Sequence, residues 1–169
     1  MSAVSKIQSL LTEEILASGL FARTMIQVPV AGATDKAIED LERALPRSVS
    51  AAHRAILCRW NGLDLDVVRI LGVPPVEPGF KTILDFQPLI ESDTRLSTGV
   101  VFATDPSGFL YIEKSDGSIY SVDHDGGEIT FCASTVDEFF DVLVFGNRSS
   151  EFLGHQWLYT LQRLGIVAP

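Results

Sequence analysis

Four short runs of β-branched and aromatic residues between Gly99 and Ser134 constrain the fold of this chain more than any other feature. They read VVFAT, FLYIE, IYSVD and ITFCA. The segments between them are Asp105-Pro106-Ser107-Gly108, Ser115-Asp116-Gly117 and His124-Asp125-Gly126-Gly127. Glycine supplies a positive φ angle in a tight turn and proline fixes a negative one, so each separator is typical of a turn. The pattern predicts a four-stranded antiparallel meander.

Helical patterns precede the meander. Apolar residues recur at helical spacing over residues 3–18, 34–45 and 48–60, which predicts three helices. Asn61-Gly62 is typical of a helix end because both residues accept the left-handed conformation. The alternation of leucine and aspartate in Leu63–Asp66 then predicts a strand.

Helical patterns also follow the meander. Thr135 and Glu138 form a capping-box pattern at the start of one helix, and a last helix is expected from Ser149 or Ser150 to Gly165. Strands and helices are therefore segregated along the chain, which favours an α+β fold. We predict a single domain over residues 1–169, with a mainly antiparallel sheet of about five to six strands and helices packed on one side.

The negative charge of the chain is concentrated in one segment. Residues 96–147 contain nine acidic residues and one basic residue, so they hold a net charge of −8 out of −9 for the whole chain. Nucleic acid is an unfavourable ligand for such a surface because phosphate binding requires Lys and Arg. A basic protein partner fits it better. Solubility alone would also explain acidic residues in turns.

The chain has no apolar run of the length that a transmembrane helix needs, so we expect no contact with a membrane. The first residues carry a single lysine, and Glu13 and Glu14 interrupt their apolar pattern, which is unlike a signal peptide. We therefore expect a cytoplasmic protein. Cys58 and Cys132 fall in apolar-patterned segments, and both are expected to be buried thiols.

The histidines and cysteines show no catalytic or metal-binding spacing. His53 lies on the apolar side of a predicted helix, His124 at a hairpin tip and His155 in the last helix. Neither His-x-x-x-His nor Cys-x-x-Cys occurs. Gly-x-Ser-x-Gly and phosphate-loop motifs are also absent from the sequence. We therefore expect a protein that is not an enzyme and needs no cofactor.

Two groups of acidic residues nevertheless resemble metal sites. The DHDGGE segment has Glu128 at its sixth position, where a calcium loop needs glycine, so a hairpin is the better interpretation. Asp64 and Asp66 would point to the same side of a strand, where they could hold a metal or carry out a two-acid hydrolysis. The solvent-exposed face of an edge strand would show the same alternation of leucine and aspartate.

The order of three segments resembles the SMI1/KNR4 family, also called the SUKH superfamily. The segments are LPRSVSAAHRAILCRWNGLDLD, VVFATDPSGFLYIEKSDGSIYSVDHDGG and ASTVDEFFDVLV. The resemblance covers residues 34–146 and leaves a helical extension at each end. The positions that match are Pro46, Asn61, Gly62, Gly108, Gly117 and Phe139. The chain departs from the usual pattern at His53 and Ala55, where an aromatic residue is common, and at Leu63, where glycine is common.

The resemblance implies an α+β fold and a protein partner. Many bacterial members of the family are immunity proteins that neutralise toxins, often nucleases, and fungal relatives act as regulators through protein partners. Our leading hypothesis is a toxin-neutralising immunity protein that covers a basic face of the toxin with an acidic surface. The alternatives are an interaction scaffold or regulator and, third, a small hydrolase or metal-dependent enzyme that uses His53 or Asp64 and Asp66.

The acidic surface is predicted from residues in and beside the meander turns. Opposite charges on this surface and on the toxin would speed the association of the two proteins and help to select the partner. The hypothesis requires that several of these residues share a face. They are Asp105, Glu113, Asp116, Asp123 and Asp125, with Glu128 as an addition.

Overall fold

A seven-stranded antiparallel sheet forms the centre of the protein, and its strands are ordered β1 to β7 as they occur in the sequence. The computed structural model of the chain describes residues 2–12, 15, 26–123 and 127–168. The predicted α+β class is confirmed, with seven strands where about five to six were expected. The strands are β1 Ile26–Gln27, β2 Leu63–Leu65, β3 Arg69–Ile70, β4 Val100–Thr104, β5 Phe109–Glu113, β6 Ile119–Asp123 and β7 Ile129–Ala133.

The predicted meander is confirmed as strands β4 to β7. Gly108 and Gly117 lie in its first two turns with φ angles of 94° and 85°, a region that favours glycine. Residues 124–126 of the third turn lie outside the described residues. Strands β1 to β3 extend the same sheet on the β4 side, because Ile70 of β3 pairs with Ala103 of β4.

Helices precede, interrupt and follow the strands. They are α1 Ala3–Leu10, α2 Asp35–Ala44, α3 Ala51–Arg59, α4 Ile83–Phe86, α5 Pro88–Glu91, α6 Val136–Glu138, the π-helix Phe139–Val144, α7 Ser149–Leu153 and α8 His155–Arg163. Most of the predicted continuation of α1 to residue 18 lies outside the described residues. The predicted last helix is two helices, since Gly154 separates them with a φ angle of 86°.

Side-chain caps begin three of the helices, two of them at predicted starts, whereas Ser50 caps α3 two residues after its predicted start at residue 48. The hydroxyl of Thr34 accepts a hydrogen bond from the backbone of Ala37 at the start of α2. Ser50 caps α3 in the same way, and Thr135 caps α6. The Glu138 carboxylate accepts from the backbone N–H of Ser134, one residue before the cap. These caps place α3 and α6 at defined points beside the sheet.

The Asn61-Gly62 pair redirects the chain from α3 into β2. Gly62 has a φ angle of 91°, and the Asn61 side chain bonds both the N–H and the C=O of Val73. Strand β2 ends at Leu65, and Asp66 has a φ angle of 73°. Asp64 and Asp66 therefore do not share one face of a strand, because the backbone leaves the extended conformation between them.

Two apolar clusters hold the sheet and helices together. The first contains Phe102 and Tyr111 together with residues of α1, α3, the π-helix and α8. The second contains Leu110 and Ile112 together with residues of α2, α4 and α5. Successive side chains of a strand point to opposite faces, so the clusters lie on opposite faces of the sheet. We call these the first face and the second face. The prediction that the helices pack on one side is therefore wrong, because helices contribute to both clusters.

The two cysteines differ in exposure. Cys132 is buried, as predicted, but the prediction of a buried thiol is wrong for Cys58, which is exposed on α3. Ile56 lies in the first apolar cluster and Leu57 in the second, so the residue that follows them, Cys58, lies on the outer side of the helix. Within the described ranges, no helix has both the length and the apolar composition needed to cross a bilayer.

Candidate functional site

Glu113 lies inside the protein and contributes no surface. Its side chain contacts the Arg47 guanidinium at 3.3 Å and lies 3.4 Å from His53 Nδ1. Burial alone would raise the pKa of Glu113, but hydrogen bonds from His53 and Ser50 and the charge of Arg47 outweigh it, so the pKa lies below its ordinary value. Glu113 therefore joins the α3 region to β5, and the predicted acidic surface does not include it.

The polar cluster around Glu113 is incompletely hydrogen-bonded within the described structure. Arg47 Nε, His53 Nε2 and Glu113 Oε1 are buried without a hydrogen-bond partner among the described residues. The ring of His53 meets Phe102 edge to face, with centroids 5.7 Å apart. His53 is fully buried, so a substrate could not reach it without movement of α3.

Asp105 also lies inside, as the centre of the β4–β5 turn. Its carboxylate accepts hydrogen bonds from the backbone of Ser107 and Phe109 and from the Tyr111 hydroxyl, at 2.9 to 3.1 Å. Burial and the adjacent Asp105 charge raise the pKa of Tyr111. Only 8% of Asp105 is exposed, so its role is to shape the turn.

The other predicted site residues lie at opposite ends of the meander. Asp116 is exposed in the β5–β6 turn, where hydrogen bonds from Ser118 lower its pKa. Asp123 is half-buried at the far end of β6, and Glu128 is exposed just before β7. Asp125 lies outside the described residues. The structure therefore brings Asp123 and Glu128 to one end of the sheet and leaves Asp116 at the other.

A partly exposed apolar surface covers part of the second face beside these acids, with Tyr120 and Ile129 half-buried and Val122 buried. The rings of Tyr120 and Phe131 meet edge to face across β6 and β7, with centroids 5.6 Å apart. Val122 and Ile129 pair beside them on the same face. Phe131 is 52% exposed and Leu89 of α5 is 53% exposed. We call Leu89, Tyr120, Val122, Ile129 and Phe131 the open face.

A groove of about 570 Å³ runs between α5 and the sheet at the open face. Leu110 and Val122 line it from the sheet, and Leu89 lines it from α5. Asp93 and Arg95 form an ion pair at its rim, and hydrogen bonds from Arg95 lower the pKa of Asp93 to about 2. Asp123 lines the same groove, so apolar and acidic side chains meet there.

The open face was not predicted from the sequence, because the predicted surface contained acidic residues only. The signal was present in the alternation of IYSVD and ITFCA, where Tyr120 and Phe131 each point away from the first-face positions Ile119 and Cys132. Detecting it required the register between β6 and β7, and the bulge at Cys132 alters that register.

The residues suggested for an enzyme are not assembled into a site. Asp64 forms an ion pair with Arg69 at 2.9 Å and accepts a hydrogen bond from the backbone of Asp66. In the part of the chain that the structure describes, no three His, Cys, Asp or Glu side chains are placed to hold a metal ion. Asp64 and Arg69 instead line a cavity of about 330 Å³ together with Lys81, Phe80 and Phe86.

Comparison with known proteins agrees with the resemblance in the sequence. The model of the SMI1 / KNR4 family (SUKH-1) matches residues 32–142. The match covers 111 of 169 residues and runs from the loop before α2 into the π-helix. No curated protein matches the chain.

Proposed function

The chain belongs to the SMI1/KNR4 (SUKH-1) family, whose members are commonly immunity proteins, and on that premise we propose that it binds and neutralises a cognate bacterial toxin. The proposed action is occlusion without catalysis: the protein covers a functional surface of the toxin and performs no reaction itself. The observation that carries the proposal is the open face, where aromatic and aliphatic side chains remain exposed beside a groove.

The composition of the open face fits a protein partner. Aromatic side chains are enriched at protein interfaces, and a central apolar cluster usually supplies most of the binding energy. Phe131 and Leu89 each expose more than half of their surface on one face of the sheet. Isolated exposed apolar residues need no explanation, but a group of them around a groove marks an interaction site.

The acidic residues have a narrower part in this proposal than in the sequence-based hypothesis. Asp123 and Glu128 lie at one end of the open face, where they would meet basic residues of the toxin. Asp116 lies at the other end of β6. The Lys114 ammonium group lies 4.2 Å from the centre of the Tyr120 ring, so a positive charge also lies at that end. Opposite charges at the rim would set the association rate and the choice of partner more than the total affinity.

The direct test is co-expression with the protein encoded by the adjacent gene. The proposal expects that protein to inhibit growth on its own, and expects this chain to restore growth and co-purify with it. If the two proteins are co-expressed and neither rescue nor co-purification occurs, the immunity proposal fails and a regulator of an endogenous protein becomes the better hypothesis.

Single substitutions then locate the surface. Phe131→Ser and Leu89→Ser should each weaken toxin binding by about fivefold or more, since truncation of a central apolar anchor costs more than about 1 kcal/mol. Tyr159→Ser is the matched control, because Tyr159 of α8 is 54% exposed and lies away from the open face. Equal binding by all three variants would contradict the assignment of the open face.

A further inference from the structure

We propose that the free edge of β7 receives an extended strand of the toxin, which continues the sheet beyond its seventh strand. This inference rests on the proposed function and specifies how the partner is held. Addition of a strand to an exposed sheet edge is a known mode of peptide recognition: backbone hydrogen bonds supply affinity, and alternate side chains supply specificity.

The hydrogen-bond pattern shows which β7 residues face outward. The Lys114 N–H donates to the Ser118 carbonyl at 2.8 Å, so the backbone of Ser118 points towards β5. Backbone direction alternates along a strand, so Ser121 points the other way, towards β7. Thr130 lies opposite Ser121 and completes that pair.

Ile129 and Phe131, on either side of Thr130, therefore direct their N–H and C=O groups away from the sheet. Among the described residues, no hydrogen bond joins the backbone of Ile129 or Phe131 to anything outside the strands. Phe131 is exposed, Ile129 is half-buried, and no described strand pairs with this part of the edge. Two outward residues offer up to four backbone hydrogen bonds to an added strand.

The regular part of the β7 edge carries neither the charges nor the proline that protect many edge strands. Natural edge strands are short or carry charged residues or proline. The opposite edge of the sheet follows this rule, since β1 has two residues and Pro29 follows soon after. Strand β7 has five residues, ITFCA, with neither charge nor proline. Its bulge at Cys132 limits the regular edge to Ile129–Phe131.

The charges around the edge favour a basic strand as the occupant. Glu128 is exposed just before β7, whereas the carboxylates of Asp137 and Glu138 beyond the other end accept hydrogen bonds from the backbone of Ala3 and Ser134. The positive charge of Arg148 acts to lower the pKa of the Cys132 thiol, although burial raises that pKa overall. Arg148 already forms an ion pair with Glu151 at 2.8 Å. An apolar strand with Lys or Arg beside Glu128 would meet an acidic side chain at that end of β7.

A second copy of the chain is a poorer occupant of the same edge. Antiparallel pairing of two β7 strands would bring the acids at one end of each strand close to the acids at the other end of its mate. Each copy also carries a net charge of −9, which opposes self-association. The toxin strand is therefore the occupant that the charges select.

Hydrogen–deuterium exchange on the complex with the co-expressed toxin tests the proposal. In the free protein the amides of Ile129 and Phe131 should exchange rapidly, whereas the amide of Thr130, bonded to β6, should exchange slowly. In the complex both outward amides should become protected. If the complex forms and these two amides still exchange at their free rates, strand addition is overturned while the proposed function stands.

Two substitutions at one position separate the backbone from the side chain. Phe131→Ala and Phe131→Pro both lose the ring, but only proline loses the outward N–H, and it leaves the ladder to β6 intact. We expect Phe131→Pro to bind the toxin about tenfold more weakly than Phe131→Ala. Equal affinities would overturn the proposal, provided that both variants keep the exchange protection of β5 seen in the unsubstituted protein.

The exchange experiment also distinguishes the other outcomes. Protection of Ile129 and Phe131 in the free protein, together with a dimer in sedimentation, would overturn the proposal in favour of self-pairing. Failure of the toxin to bind at all would remove the proposed function and, with it, this inference.

Discussion

The carboxylate of Glu113 is buried in the interior of the protein, and neighbouring groups stabilise its negative charge. Arg47 supplies an opposite charge, His53 Nδ1 faces the same oxygen, and Ser50 directs its backbone N–H towards it. An ionised carboxylate can only accept hydrogen bonds, so His53 Nδ1 carries the hydrogen in this contact. The cluster joins the start of α3 to the end of β5.

Replacement of Glu113 by glutamine should destabilise the protein in a pH-dependent way. The folded protein holds the Glu113 pKa below its ordinary value of 4.5, so the charge stabilises the fold above that pH. This contribution is lost as the pH falls through the folded pKa. We expect Glu113→Gln to lower the free energy of unfolding by about 3 kcal/mol at neutral pH, and by less in acid.

Urea unfolding of both proteins between neutral and acidic pH provides the measurement. Glu128→Gln is the control, since Glu128 is exposed, and it should change the free energy of unfolding by no more than about 0.5 kcal/mol. A Glu113→Gln effect that stayed constant from neutral to strongly acidic pH would show that the Glu113 charge is not what stabilises the cluster.

At the scale of elements, the side chain of Gln87 helps to attach α4 and α5 to the sheet. Gln87 lies at their junction and is 2% exposed. Its amide nitrogen donates to the Gly99 carbonyl at 2.9 Å, and its oxygen accepts from the Val101 N–H at 3.0 Å. These bonds fix the segment that carries Leu89 at the rim of the groove.

Gln87→Ala should therefore destabilise the fold and disturb the open face together. Loss of the amide leaves a buried N–H and a buried C=O unpaired, so we expect a decrease of about 2 to 3 kcal/mol in the free energy of unfolding. Gln156→Ala is the matched control, because Gln156 is exposed on α8. Chemical denaturation measures both variants, and an equal effect would refute the attachment role.

At the scale of the whole molecule, the core extends beyond the family match. Residues 32–142 match the family, yet Ile7, Leu10, Trp157 and Leu161 lie outside this range and are buried in the first cluster. The Trp157 indole donates to the Val144 carbonyl at 2.6 Å, which ties α8 to the end of the π-helix. The two terminal helical regions thus complete the first face.

A chain cut to residues 32–142 should consequently fail to fold stably. The cut deletes Phe145 with the end of the π-helix and exposes Phe140, and both rings are fully buried in the complete protein. Loss of even one large core side chain costs about 3 to 5 kcal/mol, comparable with the stability of a typical domain. Circular dichroism and thermal melting of the two chains would check this, and a cooperative melt of the short chain at the same temperature would contradict it.

The net charge should appear in the kinetics of toxin binding. A chain of net charge −9 attracts a basic partner over a distance that salt shortens. We expect the association rate to fall by on the order of tenfold between about 0.05 M and about 0.5 M salt, with a smaller change in the dissociation rate. Stopped-flow measurements on the purified pair would show this.

Charge-reversal substitutions test whether that attraction comes from one end of the sheet. Asp123→Lys and Glu128→Lys should slow association more than Asp116→Lys, because Asp116 lies at the opposite end of β6. Equal effects of all three substitutions would indicate a contribution of overall charge without a local contact.

The meander, the caps at Thr34 and Thr135 and the family were determined by the sequence alone. These features depend on neighbours along the chain: a glycine sets a turn, the Thr135 hydroxyl accepts from the Glu138 N–H and caps α6, and alternation marks a strand. The break at Gly154 was not predicted, since glycine within a helical pattern is compatible with either outcome.

Only the tertiary structure decided which polar residues are buried and which apolar residues are exposed. Arg47 and Glu113 are 66 residues apart in the chain, and their contact turns a predicted surface acid into an interior one. Phe131, in contrast, stays exposed because no described helix covers that part of the second face. Burial depends on which distant element packs against a face, and local pattern carries no information about that choice.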